Sequence, residues 1–201
     1  MYWRVRKITP EQIARQYGVH AALGASLLMN VLLITTRPAV PKISPEIKVG
    51  YEQFARQVTQ HLLDTSYITY ADSTLDLLKD ELAPNVVKQL RAQDMLAKSE
   101  DDLRSTAKTL IEQHQVSAVK ITESVPSDLD QNSMLPVEVK GLVAIHSAQE
   151  NGPSDPVHFD FKFKIGGKVG QDGKPMMSPD GKTPVPCIVE FQDVSPKPTG
   201  N

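Results

Sequence analysis

Hydrophobic residues follow three different rhythms along this chain, and each change of rhythm marks a part. Over 16–36, QYGVHAALGASLLMNVLLITT, apolar residues occupy every face of a helix, and twenty-one residues pass without a formal charge. A helix of that length reaches about 31 Å, against about 30 Å for the hydrocarbon core of a bilayer. A core helix of a globular protein would carry an apolar stripe instead. A cleaved signal peptide would have a shorter apolar centre and a small-x-small cleavage site, whereas this run exits into TTRPAVPK, where Pro38 and Pro41 crowd any such site. The pattern predicts a single membrane-spanning helix over 16–36.

The second rhythm is helical. Downstream of 46, Val49 or Tyr51, then Phe54, Val58 and Leu62, recur at spacings of three and four, which predicts a helix to about Asp64. Asp72 has the character of an N-cap for a second helix with Leu75, Leu78 and Leu82 turned inward. Pro84 suits the first turn of a third, with Val87 and Leu90 buried and Leu96 the next candidate. Ser99, followed by Glu100, Asp101 and Asp102, caps a fourth, whose apolar positions are Leu103, Ala107, Leu110 and Ile111.

Near Gln115 the period falls to two. VSAVKITESV (116–125) sets Val119, Ile121 and Val125 against polar neighbours, and 136–149 places Val137, Val139, Val143 and Ile145 on one face. In VHFDFKFKI (157–165), Val157, Phe159, Phe161, Phe163 and Ile165 alternate with His158, Asp160, Lys162 and Lys164. Strict alternation means one face on a core and one in water, as in antiparallel sheets. Asn151-Gly152 supplies hairpin chemistry between the second and third strands. A long Gly/Pro/Lys loop, 166–186, leads to a last strand, 187–194. Helices followed by a meandering sheet predict an α+β domain with helices packed on one face of a curved four-stranded antiparallel sheet.

The flanks of the apolar run assign an orientation. Arg4, Arg6, Lys7 and Arg15 precede it against one Glu11, which places the short arm, 1–15, in the cytoplasm and the rest across the membrane. Trp3, with Tyr2, is an interfacial aromatic beside arginines that pair with lipid phosphates, so Trp3, Arg4, Arg6, Lys7 and Arg15 form the expected membrane-surface group. The division expected is arm 1–15, membrane helix 16–36, proline-spaced connector 37–48, extracytoplasmic domain 49–195 and flexible tail 196–201. The formal net charge of −2 hides an asymmetry: residues 1–42 carry six basic groups and one acidic, and 43–201 carry sixteen and twenty-three. An acidic domain lacks the basic face that direct nucleic-acid binding requires. The lone Cys187 excludes an internal disulfide and is expected to be buried.

Within the apolar run Gly18, Ala22, Ser26 and Asn30 recur every fourth residue, a stripe of small and polar side chains along which a second helix could pack, with the Asn30 amide bonding across the contact. Catalytic constellations are missing: the chain has no GxGxxG, GxxxxGK[ST], GxSxG or HExxH. His20, His61, His114, His146 and His158 are scattered, and only His61 and His114 are placed where a cone-shaped fold could bring them close. The acids at 100–102 read as helix-start charge rather than as metal ligands. Glu138 and Asp160 fall on the wet face by parity, away from any pocket. Met176 and Met177 on the loop point to a contact surface. Neither a cofactor, a metal nor an enzymatic activity is expected.

This layout resembles the VirB-eight-like inner-membrane assembly proteins of bacterial type IV secretion systems, and within them the TraE group of conjugative elements. The likeness lies in TYADSTLDLLKDELAPNVVKQLRAQ (69–93), a helix–Pro–helix passage before an acid-rich helix, and in VEVKGLVAIHSAQE (137–150) with its central Gly141. The loop 166–186 departs from the family's compact pattern. The resemblance implies a bacterial inner-membrane, single-pass protein with a periplasmic domain of the nuclear-transport-factor-two-like fold, no catalysis, self-association and contacts with other channel subunits and lipid. Two further readings compete: a single-pass envelope protein of another assembly, and a periplasmic small-molecule-binding module.

Overall fold

The computed structural model describes residues 26–29, 43–149, 154–170, 173–179, 181 and 183–196. The chain divides into two units, Met1–Ala39 and Val40–Asn201. Of the first, residues 26–29 are described, and they are helical and exposed. Among the described residues no helix is long and apolar enough to cross a membrane, and the rest of the 16–36 run lies outside them.

Helix α1 (Pro45–Leu62) starts where Ile47 N–H donates to Ser44 Oγ at 3.4 Å and Pro45 takes the first turn. The helix thus begins inside the stretch read as connector. Its buried face carries Ala55, Val58 and Thr59, with Tyr51 and Phe54 packed beside them. Tyr51 fills the place left open between it and Val49, whose side chain is exposed.

Helix α2 (Tyr70–Asp76) starts two residues before the expected Asp72 cap, and Thr69, its flanking residue, makes no side-chain cap bond. It runs into a π-turn, Leu77–Glu81, closed by Leu82 N–H donating to Leu77 O at 3.1 Å. One extra residue per turn rotates the following side chains. Leu77, Glu81 and Leu82 become buried, while Leu75 and Leu78, expected inward, are half-buried. Helix α3 (Pro84–Ala92) buries Val86 and Leu90. Helix α4 (Glu100–Gln113) is capped by Ser99 Oγ, which accepts from Asp102 N–H at 3.2 Å, while Asp102 Oδ2 accepts from Lys98 N–H at 2.8 Å. The acidic run is therefore built into the helix start. Leu103 and Leu110 face inward, but Ile111, expected inward, is exposed.

The sheet is a meander, β1 (Val116–Pro126), β2 (Leu135–His146), β3 (Val157–Gly167) and β4 (Pro186–Asp193), antiparallel throughout and in that spatial order. Its inner face, Val137 and Val139 of β2, Phe159, Phe161, Phe163 and Ile165 of β3, and Ile188 and Phe191 of β4, forms one core with Ala55, Val58, Leu77, Val86 and Leu90 of the helices. Two bulges shift the alternation. In β1 the register jumps between Ile121 and Glu123, so Ser124 and not Val125 joins the inner face; Val125 is exposed. In β4 the extra residue is Val189, which lets Ile188 and Phe191 both point inward. Val157, expected inside, is 61% exposed because it lies at the strand's first position, beyond the helical cover.

The free edge of β4 is covered. Ala83 N–H donates to Ile188 O at 2.9 Å, and the side-chain amides of Asn85 and Gln89 donate to Val189 O and Phe191 O. That is a standard protection of a sheet edge. Part of the expected loop is strand-like: Val169 pairs with Pro175 and Met177 with Pro184, and Lys168 Nζ ties its base to Asp80 Oδ1 at 2.8 Å. Cys187 is buried, as expected.

Candidate functional site

The π-turn has a chemical consequence. It carries Glu81 to 4% exposure, where Gln57 Nε2 donates to one carboxylate oxygen at 2.7 Å and His61 Nδ1 lies 2.9 Å from the other. Both partners come from α1, one turn apart, so the pair fastens the π-turn to the first helix. Burial pushes the Glu81 carboxyl above its ordinary range, and the bonds from His61 and Gln57 offset this only in part. Asp76 adds a smaller push in the same direction. With the carboxylate fixing Nδ1, the imidazole's Nε2 is left as its second polar atom.

A raised carboxylate pKa favours the protonated group on folding. Its contribution to stability is therefore full below the ordinary carboxylate range and is lost as pH rises through the raised value. Glu81→Gln keeps the shape and removes the titration. The urea midpoint of the variant, measured from about pH 4 to neutrality, should gain on that of the parent as pH rises. Parallel profiles would show that the Glu81 carboxylate carries no net burial cost.

Beside this pair, the segment between α1 and α2 builds a hydroxyl-rich corner. Asp64 Oδ1 accepts from Ser66 N–H at 2.9 Å and Oδ2 from Ser73 Oγ–H at 2.7 Å. Burial raises the Asp64 carboxyl, but hydrogen bonds from Ser73, Thr69 and Ser66 together outweigh it and hold the group below the usual range. Ser66 and Ser117 hydroxyls lie 3.2 Å apart, and a shallow cleft of about 270 Å³ here is lined by His61, Asp64, Thr69 and these serines. A second cleft, about 390 Å³, opens between the end of α1 and the start of α4, with Leu62, Tyr70, Met95, Lys98 and Asp102 on its walls. Among the described residues no hydroxyl or thiol is hydrogen-bonded to the second nitrogen of His61, and no three His, Cys, Asp or Glu side chains are arranged to hold a metal ion.

The remaining expected residues are dispersed. Ser26 lies in the described helical residues 26–29, while Gly18, Ala22 and Asn30 of the stripe and Trp3, Arg4, Arg6, Lys7 and Arg15 of the arm lie outside the described residues. His61 and His114 go to different partners: His61 to Glu81, and His114 edge-on to the Tyr67 ring at 5.6 Å. Glu138 and Asp160 stand on the outer face as parity requires, in a ladder with Lys140, Lys162 and Glu123. Met176 and Met177 are exposed, with Val169 nearby in the same loop. Glu81 was not foreseen. In an uninterrupted α-helix its position flanks the Leu75, Leu78 and Leu82 stripe, and no residue type nearby announces the π-turn.

No family model matches the chain, and no curated protein does. Among solved structures, a TraE protein in complex with 2-(2-furyl)isonicotinic acid is similar, with a TM-score of 0.51, 10% identical residues, and coverage of 78% of this chain and 100% of that one. At that identity the likeness is one of fold: this chain carries the α+β arrangement of a TraE protein, and the resemblance read in the sequence is supported at that level.

Proposed function

We propose that this protein is a structural subunit of a bacterial type IV secretion or conjugation apparatus. It is anchored in the inner membrane by one helix over 16–36, with its arm in the cytoplasm and a periplasmic domain of the nuclear-transport-factor-two-like fold. The observation that carries this reading is the likeness to the TraE protein, which extends over the whole of that chain. The basic arm against an acidic domain supports the orientation, and the exposed Leu27, Leu28 and Met29 suit a helix with lipid around it.

In this reading the protein works by assembly and not by catalysis. Fixing the domain to a membrane raises its effective concentration toward other copies and other channel subunits, so individually weak interfaces suffice. The stripe Gly18, Ala22, Ser26 and Asn30 packs against a neighbouring membrane helix, and the arm sits on anionic lipid. The domain binds no nucleic acid directly.

In the bacterium that carries the gene, deletion should abolish conjugative transfer, and the full-length chain should restore it. A periplasm-dependent reporter, alkaline phosphatase fused after Asn201, should be active. Unchanged transfer in the deletion strain would overturn the assignment to the apparatus, and an inactive fusion would overturn the topology.

A further inference from the structure

The two edges of the sheet are treated differently. β4 is sealed by α3, as described above, but among the described residues β1 is covered only at its start, where Tyr67 N–H donates to Gln115 O at 2.8 Å and Ser117 N–H donates to Ser66 Oγ at 3.0 Å. Over 118–125, among the described residues, no main-chain group on the outer side of β1 has a partner. The open stretch ends at Pro126, which has no N–H to leave unpaired. An uncovered edge of this length is a template for another strand.

We propose that the occupant is a second copy of this chain, joined β1 to β1 in antiparallel pairing about a two-fold axis. The bulge at Thr122 limits the registers, and the charges and the ends of the open stretch choose among them. Ala118 and Lys120 stand on the open face before it, Glu123 and Val125 after it, and Val119 and Ser124 point to the helix-covered side. Pairing that keeps like faces together in the pairs flanking the bulge sets Ala118 opposite Val125, Val119 opposite Ser124 and Lys120 opposite Glu123 of the other copy, with Ile121 and the bulged Thr122 meeting at the axis. This register also consumes the whole open stretch. Its next pair sets Ser117, already bonded to Ser66, opposite the donor-less Pro126. Hydrogen bonding agrees: Ser117 turns its N–H outward, Val119 and Ile121 follow at steps of two, and past the extra residue Thr122 the series resumes at Ser124, so Val119 and Ser124 meet as two outward-bonding residues.

Charge complementarity favours the same register. Lys120 has no ion-pair partner among the described residues, and it meets Glu123 of the other copy twice per dimer. Glu123 lies 3.8 Å from Lys140 in its own chain, so the pairing extends the charged ladder of the outer face across the two-fold axis. A lone edge lysine ordinarily guards against strand addition, and here it admits the one partner that presents a carboxylate opposite it.

Directly opposed residues that do not exchange hydrogen bonds lie about 4.5 Å apart at Cα, within the range a disulfide spans. Full-length chains carrying Ala118→Cys and Val125→Cys, with different affinity tags, should therefore form a disulfide-linked dimer when co-expressed in membranes. Neither should when expressed alone, because each cysteine then faces a native residue; buried Cys187 is common to all. Adding Lys120→Glu to both chains should cut the linked fraction several-fold, and adding Glu123→Lys as well should restore it. No link in the mixed sample with parent-like circular dichroism, links of equal yield in either single variant, or no rescue by the double charge reversal would each overturn this interface. The pairing rests on the proposed function only for its purpose. Failure to link with conjugative transfer intact would remove the interface and leave the assembly reading standing.

Discussion

Replacing Phe161 with alanine is expected to destabilise the protein by about 3–5 kcal/mol, the cost of truncating a fully buried phenylalanine. Phe161 is 2% exposed and sits at the centre of the sheet's inner face, with ring centroids 5.2 Å from Phe159, 6.2 Å from Phe163 and 5.3 Å from Phe191. Deletion removes its own burial and three aromatic contacts, each worth about 0.5–1.5 kcal/mol beyond area. The site has little room to collapse, because β2 and β4 flank it through Val139 and Asp193. Val157→Ala, in the same strand and of the same parity, is the control: its side chain is already in water, so the change should stay within about 0.5 kcal/mol. Urea unfolding of the two full-length variants checks both. Similar losses at the two sites would mean that the alternation in β3 does not define the core.

That contrast shows what the residue pattern could and could not disclose. The alternation in VHFDFKFKI was legible because the strand is covered along most of its length, so parity maps onto burial. Val157 broke the rule only because cover stops before the strand does. The bulges at Thr122 and Val189 were illegible for a different reason. Inserting one residue into a strand changes the face of everything after it, yet ITES and IVEF read as ordinary strand. The π-turn hid in the same way, since Leu75, Leu78 and Leu82 satisfy the α-helical period as well as Leu77 and Leu82 satisfy the wider one. Glu81, and with it the contact to His61, went unseen because it depends on that one-residue rotation. Helix starts fared better where a proline opens the first turn, at Pro84, or where a serine precedes acids, at Ser99, because those signals act within one turn, whereas Ser44-Pro45 was read as connector because Pro38 and Pro41 precede it. The membrane stripe and the basic arm are statements about residues that lie outside the described ones, and they stand on the pattern alone.

Gly141 is the other position where a single methyl group should matter. Gly173 and Gly181, at φ of 76° and 66°, are glycines by backbone conformation, but Gly141 is one by contact. A Cβ placed on it would lie 2.3 Å from Lys120 O and 2.5 Å from Phe159 Cζ. The ring could turn aside. The carbonyl belongs to the backbone of β1, next to the bulge, and moves only if that strand shifts away from β2. Gly141→Ala should therefore cost about 3 kcal/mol, the upper end for overpacking a tight site, equivalent to a fall in Tm of roughly 6–12 °C for a chain of this size. Amide exchange gives the more specific readout. Protection should fall first at Lys120 and its neighbours in β1, because the added methyl separates β1 from β2 before it disturbs the Phe161 core. A variant that keeps the parent's Tm and its β1 protection would show that Gly141 has the room this packing denies it, and the close approach of the β1 backbone to Gly141 would then have to be given up.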